Sequence, residues 1–190
     1  MDFLVAPGAL LAAGMASGAF GGTGPTRCTV TRFMITGLTG RSSFVGTRAI
    51  AFKDFHLLPG NTPHRETDLE PGDLITHVTL PPPVKDSKQL YLKLRDRASY
   101  EFALASAAVI INIAGQNITR ARIALGGVGT KPWRSSEAEA VLVDHPADKA
   151  NFRRAAEAAL RDAKPQSENG FKIELAKRCV THALQMAVTS

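Results

Sequence analysis

Leu74-Ile-Thr-His-Val-Thr-Leu-Pro81 and Tyr91-Leu-Lys-Leu-Arg-Asp-Arg-Ala-Ser-Tyr-Glu-Phe-Ala103 are two extended runs separated by a proline break. The first is rich in β-branched residues, and Pro81-Pro82-Pro83 then removes three backbone donors, so no sheet ladder continues through it. In the second, Tyr91, Lys93, Arg95 and Arg97 alternate with Leu92, Leu94 and Asp96. A period of two puts the leucines on one face of a strand and the charge on the other. The pair therefore reads as two strands that present one lysine.

Downstream, Leu104 to Ala114 is almost wholly apolar, as in a strand buried on both faces. Gly115-Gln-Asn is a hairpin-like turn into a further strand, Ile118 to Leu125, and Gly126-Gly-Val-Gly-Thr-Lys-Pro-Trp breaks that strand with residues small enough for a backbone or ligand to pass close. The last third has helical period. Arg134 to Val143 is a short Ala- and Glu-rich helix, and Pro146-Ala-Asp148 opens a second, which Lys164-Pro165 ends. In that second helix Phe152, Ala155, Ala156, Ala159 and Leu160 form one apolar stripe. Gly170 to Val188 is a third, with Ile173, Ala176, Val180, Ala183 and Ala187 on one side. Strands in a block followed by helices in a block predict an α+β fold: an antiparallel sheet of about four strands followed by three packed helices.

Upstream, residues 1 to 45 are dominated by Gly, Ala, Thr and Ser, and read as a poorly ordered lead-in with one short apolar helix near Leu4 to Met15. They contain no Gly-x-x-x-x-Gly-Lys-Ser/Thr motif, and no strand followed by Gly-x-Gly-x-x-Gly and a helix. From Gly46 the pattern tightens: Arg48-Ala-Ile-Ala-Phe reads as a strand, and a turn-rich connector runs to Leu69-Glu-Pro-Gly-Asp. Asp2 and the interrupting glycines argue against a signal peptide or a membrane span at the start.

The chain has 190 residues, 44% of them hydrophobic, and a net charge of +6. The basic residues are scattered among acidic ones and aromatics are few, which argues against a nucleic-acid partner. Cys28 and Cys179 are the only cysteines and are far apart, so they build neither a disulfide framework nor a Cys-x-x-Cys metal site. His56 and His64 lack a third ligand at fixed spacing, and no metal site is expected. No catalytic residue is identified. From residues alone, a lysine-bearing strand and a Gly-Gly turn border a possible ligand.

The order of motifs resembles the FAD-binding, or medium, subunit of the molybdenum hydroxylase family, that of xanthine dehydrogenase, carbon monoxide dehydrogenase and aldehyde oxidoreductase. The resemblance is carried by Asp54-Phe-His-Leu-Leu-Pro-Gly60, Glu70 to Pro81, Tyr91 to Ala103, Ile123-Ala-Leu-Gly-Gly-Val-Gly-Thr-Lys-Pro-Trp-Arg134 and Phe171-Lys-Ile-Glu-Leu-Ala-Lys-Arg178, and covers about residues 46 to 188. It implies that residues 46–73 are a remnant of a flavin-binding domain with its connector, and that residues 74–190 are the flavoprotein C-terminal domain. It further implies FAD as cofactor, with Ile75 and Lys93 lining the flavin, and the Arg95 to Glu101 segment as a charged loop beside it. Arg97 is expected to pair with Asp96 or Glu101.

The implied partners are a molybdopterin-binding large subunit and an iron-sulfur small subunit, with no nucleic acid and no membrane. Electrons would pass from iron-sulfur clusters through FAD to an acceptor, and the chain would be an oxidoreductase subunit inactive alone. The family's Gly-Gly-x-Thr/Asn pyrophosphate loop and its Arg-Asn-x-Ala-x-x-Gly-Gly-Asn segment are missing from residues 1 to 45. That departure implies a shortened or frame-altered relative, and favours an alternative in which the chain is a docking module of the complex without bound flavin. A generic ligand-binding α+β domain is the third reading. The expected location is cytoplasmic, or periplasmic if the chain is exported with a signal-bearing partner.

Overall fold

In the computed structural model, which describes residues 27–36 and 41–189, the apolar run after the lysine strand is the centre of a sheet. Strand β5 (Ala105–Ala114) pairs antiparallel with β4 (Lys88–Leu94) on one side and β6 (Asn117–Gly126) on the other, and the two-residue β7 (Trp133–Arg134) adds to β6. The order is β4-β5-β6-β7. Gly115 makes the β5–β6 turn with φ +62°, a left-handed conformation that an L side chain resists.

One face of this sheet carries Leu92 and Leu94 of β4, Ala105, Ala107, Val109 and Ile111 of β5, and Ala121, Ile123 and Leu125 of β6, all in one apolar cluster with the helices. Those helices are α2 (Ser136–Leu142), α3 (Lys149–Ala159) and α4 (Phe171–Thr189). Each start is written in local chemistry. Ser135 Oγ accepts the Ala138 N–H at 3.2 Å, and Asp148 Oδ1 accepts the Asn151 N–H at 2.8 Å, caps that satisfy donors a first turn leaves open. Of the predicted stripe on α3, Phe152, Ala155, Ala156 and Ala159 are buried, while Leu160 is the C-cap and half-buried. The helix therefore stops short of Lys164-Pro165. On α4, Ala176, Val180, Ala183 and Ala187 are fully buried. These alanines let helix and sheet approach closely, and each buried Val, Ile or Leu in the cluster contributes roughly 1.5–3 kcal/mol. The α+β architecture of four antiparallel strands and three helices is as predicted.

The chain divides into two compact units between Pro83 and Val84. In the earlier unit, β1 (Arg27–Thr36) lies between β2 (Arg41–Ala51) and β3 (Asp73–Thr79) in an antiparallel sheet, and one helical turn, α1 (Phe52–Phe55), follows β2. Two expectations change here. Residues 27–36 and 41–45, read as poorly ordered lead-in, are strands: Arg27-Cys-Thr-Val-Thr-Arg-Phe-Met-Ile-Thr36 contains no glycine, and its β-branched residues find two partners, a long-range gain that local composition hides. The Leu74 run also does not share a sheet with the lysine strand, because its ladder is with β1 and the fourth strand of the later sheet is β7. The helix expected near Leu4 to Met15 lies outside the described residues. Among the described residues no helix is long and apolar enough to cross a membrane.

Candidate cofactor site

Because Leu92 and Leu94 point to the helices, Lys93 is on the opposite face of the sheet, half-buried. Directly across the ladder from it stand Ser106 and then Gly126. Ser106 is buried, and a Cβ built on Gly126 would sit 2.6 Å from its Oγ. The rung beside the lysine therefore has no room for a side chain at 126. The Lys93 ammonium donates to the Glu101 carbonyl at 2.5 Å. An ammonium has three donors, so among the described residues two are left unspent.

The segment that Lys93 ties down joins β4 to β5. Its base is closed by the Leu104 N–H donating to the Leu94 carbonyl at 2.9 Å. Within it the Arg97 N–H donates to Glu101 Oε2 at 2.6 Å, and Arg97 Nη2 to the Tyr100 carbonyl at 3.1 Å. The expected Arg97–Glu101 pairing is therefore present, although its two charged groups approach only to 4.0 Å. Tyr100 has φ +55° and is 97% exposed, a strained backbone position with nothing packed on its ring. The Gly126-Gly127 turn explains its own small residues: Gly127 has φ +73°, and a Cβ there would lie 2.8 Å from the Ala103 carbonyl. It is a backbone that passes close.

Ile75 lies on β3, an edge strand of the other sheet, opposite Val30 and next to a bulge in the β1 ladder between Thr29 and Val30. The start of β3 is pinned by Asp73, whose buried Oδ2 accepts from Arg48 Nη2 at 2.8 Å and from the Glu70 N–H at 3.0 Å. That contact holds the Arg48 guanidinium above its ordinary pKa, against the lowering effect of burial. Beyond it, Leu74, Ile75, Val78 and Leu80 are exposed, Ile75 by 41%. Ile75 and Lys93 belong to different units. For FAD, a half-buried cation with donors to spare is chemically suited to the edge of an isoalloxazine. The phosphate-gripping segments that the family resemblance calls for have no counterpart in the sequence.

A buried carboxylate was missed by reading the sequence. Glu139 of α2 accepts from Arg122 Nη1 at 2.9 Å, from Arg134 Nε and Nη2 at 2.8 Å each, and from the Ile123 N–H at 3.2 Å. Its bond to Arg134 raises that guanidinium's pKa, against the opposing effect of burial. The network locks α2 to β6 and β7 and so fixes the far end of the Gly126–Trp133 turn. The fork geometry of arginine on a carboxylate suits this role. The available signal was the Arg134/Glu139 spacing across a strand-to-helix turn. Cys179 is fully buried, its thiol pushed up to about 12 by desolvation, and is unsuited to nucleophilic or ligand work. His56 sits edge-on to the rings of Phe52 and Phe55, with centroids 5.6 and 5.1 Å away.

A sheet with helices on one face and a half-buried lysine on the other is the class of domain that these observations define. Residues 90–187 match the CO dehydrogenase flavoprotein C-terminal domain, and the chain belongs to that family, that of the FAD-binding subunits of the molybdenum hydroxylases. The aldehyde oxidoreductase FAD-binding subunit PaoB of Escherichia coli K12 is 46% identical over 141 residues, which are 74% of this chain and 41% of that protein. The glyceraldehyde dehydrogenase medium chain of Sulfolobus acidocaldarius is 37% identical over 99 residues, 52% of this chain and 32% of that one. Among solved structures, the reconstituted CO dehydrogenase from Oligotropha carboxidovorans superposes with a TM-score of 0.68 at 25% identity, covering 87% of this chain and 53% of its counterpart. The chain spans less than half the length of these curated relatives. The resemblance carried by the Tyr91 and Ile123 motifs is borne out.

Proposed function

We propose that this chain serves as FAD-binding subunit in a molybdenum-containing hydroxylase or dehydrogenase, beside a molybdopterin-binding large subunit and an iron-sulfur small subunit. The observation that carries the reading is Lys93, half-buried, with one bond to Glu101 and two donors unspent among the described residues, on the sheet face turned from the helices. Bound FAD would supply the redox chemistry, receiving electrons from iron-sulfur clusters and delivering them to an acceptor. The chain's part is electrostatic and steric. The Lys93 ammonium stabilises negative charge gathering near it, and Ile75 offers an apolar surface. The Arg95–Glu101 segment, anchored at Lys93, sets which molecules approach. Affinity for FAD is weak, because most binding energy for a dinucleotide comes from its phosphates, often at a helix N-terminus.

The test is titration of the full chain with FAD, followed by quenching of flavin fluorescence, beside Lys93→Ala. Loss of one charge-assisted contact weakens binding about tenfold. No saturable quenching, or equal affinity in the variant, defeats the assignment of Lys93. A colourless, flavin-free complex with the partner subunits would instead favour the docking module.

A further inference from the structure

On the side of the later unit opposite Lys93, α3 and α4 bound an open groove of about 450 Å³. Lys149 and Arg153 line it from α3, and Lys177, Arg178 and His182 from α4, with Ala156 also among its lining residues. Acid is sparse: Glu157 and Glu174 are the carboxylates of the lining, and Glu174 is already bound to Lys177 at 2.7 Å. Among the described residues Lys149, Arg153 and Arg178 make no ion pair within 4.0 Å, and all three are exposed. Four lysines and arginines therefore face one groove from two helices against two glutamates, of which Glu174 is bound to Lys177 and also lies in the field of Arg178. They serve no role in the flavin reading, since α4 packs against the sheet face that carries Leu92 and Leu94, not the one that carries Lys93, and α3 packs on α2 and α4.

We infer that this groove docks an acidic segment of a partner polypeptide. Along α3, Lys149 and Arg153 stand one turn apart, about 6 Å at 1.5 Å per residue, and Lys177 and Arg178 face them from α4 across an interhelical distance of roughly 8–10 Å. Charges spread over those distances suit a row of carboxylates on an extended or helical segment better than one compact anion, which needs converging donors. Nucleic acid is disfavoured, because no Phe, Tyr or Trp lines the groove to stack on a base. Electrostatic complementarity of this kind acts on encounter rate and register, and salt weakens it.

The probe is a fluorescein-labelled ten-residue peptide of glutamate and alanine, titrated by anisotropy against the full chain at low salt, with a duplex DNA oligonucleotide of equal charge and inorganic phosphate as competitors. Binding is expected to saturate, to weaken at 0.3 M salt, and to fall at least fivefold in the double variant Arg153→Gln/Arg178→Gln. Both side chains are exposed, so the fold should survive, and an unchanged far-UV spectrum checks it. FAD titration is unaffected by these two changes, which separates this docking site from the flavin assignment. The inference fails if the peptide does not bind, if the double variant binds equally well, or if DNA or phosphate displaces the peptide at equal or lower concentration.

Discussion

Strands β3 and β5 are both apolar and β-branched, yet one is bare and the other sealed. On β5, Val109 and Ile111 are 0% exposed, whereas on β3 Val78 is 47% exposed. The difference comes from position. β5 is central, with β4 and β6 as neighbours and helices over one face, while β3 is an edge with a single neighbour, β1. Hydrophobic residues are stabilising only where something covers them. A run such as Leu74-Ile-Thr-His-Val-Thr-Leu80 is therefore surface available for contact. A run such as Ala105–Ala114 is scaffold.

The sharpest way to break that contrast is Ile111→Ala, which opens a cavity in a sealed core and should cost about 4 kcal/mol. Urea unfolding followed by Trp133 fluorescence reads it, since the single tryptophan lies in that unit; a loss under about 1 kcal/mol would mean that the core relaxes and β5 is not the scaffold claimed. Next comes Glu139→Ala, which leaves Arg122, Arg134 and the Ile123 N–H without their shared acceptor. About 3 kcal/mol is expected from breaking a buried ion pair whose arginines keep some access to water, and Glu139→Gln should recover part of it.

Gly127→Ala is smaller, about 2 kcal/mol, from a left-handed backbone and the Ala103 carbonyl in its way. It should also disturb the Lys93 segment, read as loss of protection of the Leu104 amide in hydrogen exchange. The smallest is Val78→Ala, where less than about 0.5 kcal/mol should be lost, as for most surface changes. A loss near that of Ile111→Ala, by far-UV circular dichroism in urea, would show that β3 is covered after all.

Much of this was legible in the sequence because it is local. Period-two alternation put Lys93 opposite Leu92 and Leu94, Asp148 opened α3, and the stripes of α3 and α4 marked their buried sides. These follow from chain geometry and neighbouring residues, as does the family, since its motifs are contiguous words. Tertiary structure alone decided that β3 joins β1 rather than β4, that residues 27–36 are a central strand, that Arg122 and Arg134 converge on Glu139, and that cations from α3 and α4 share a groove. Each of those needs at least one partner 17 or more residues away, or two helices side by side. Their energy appears only when the chain folds them together, and no local pattern carries it.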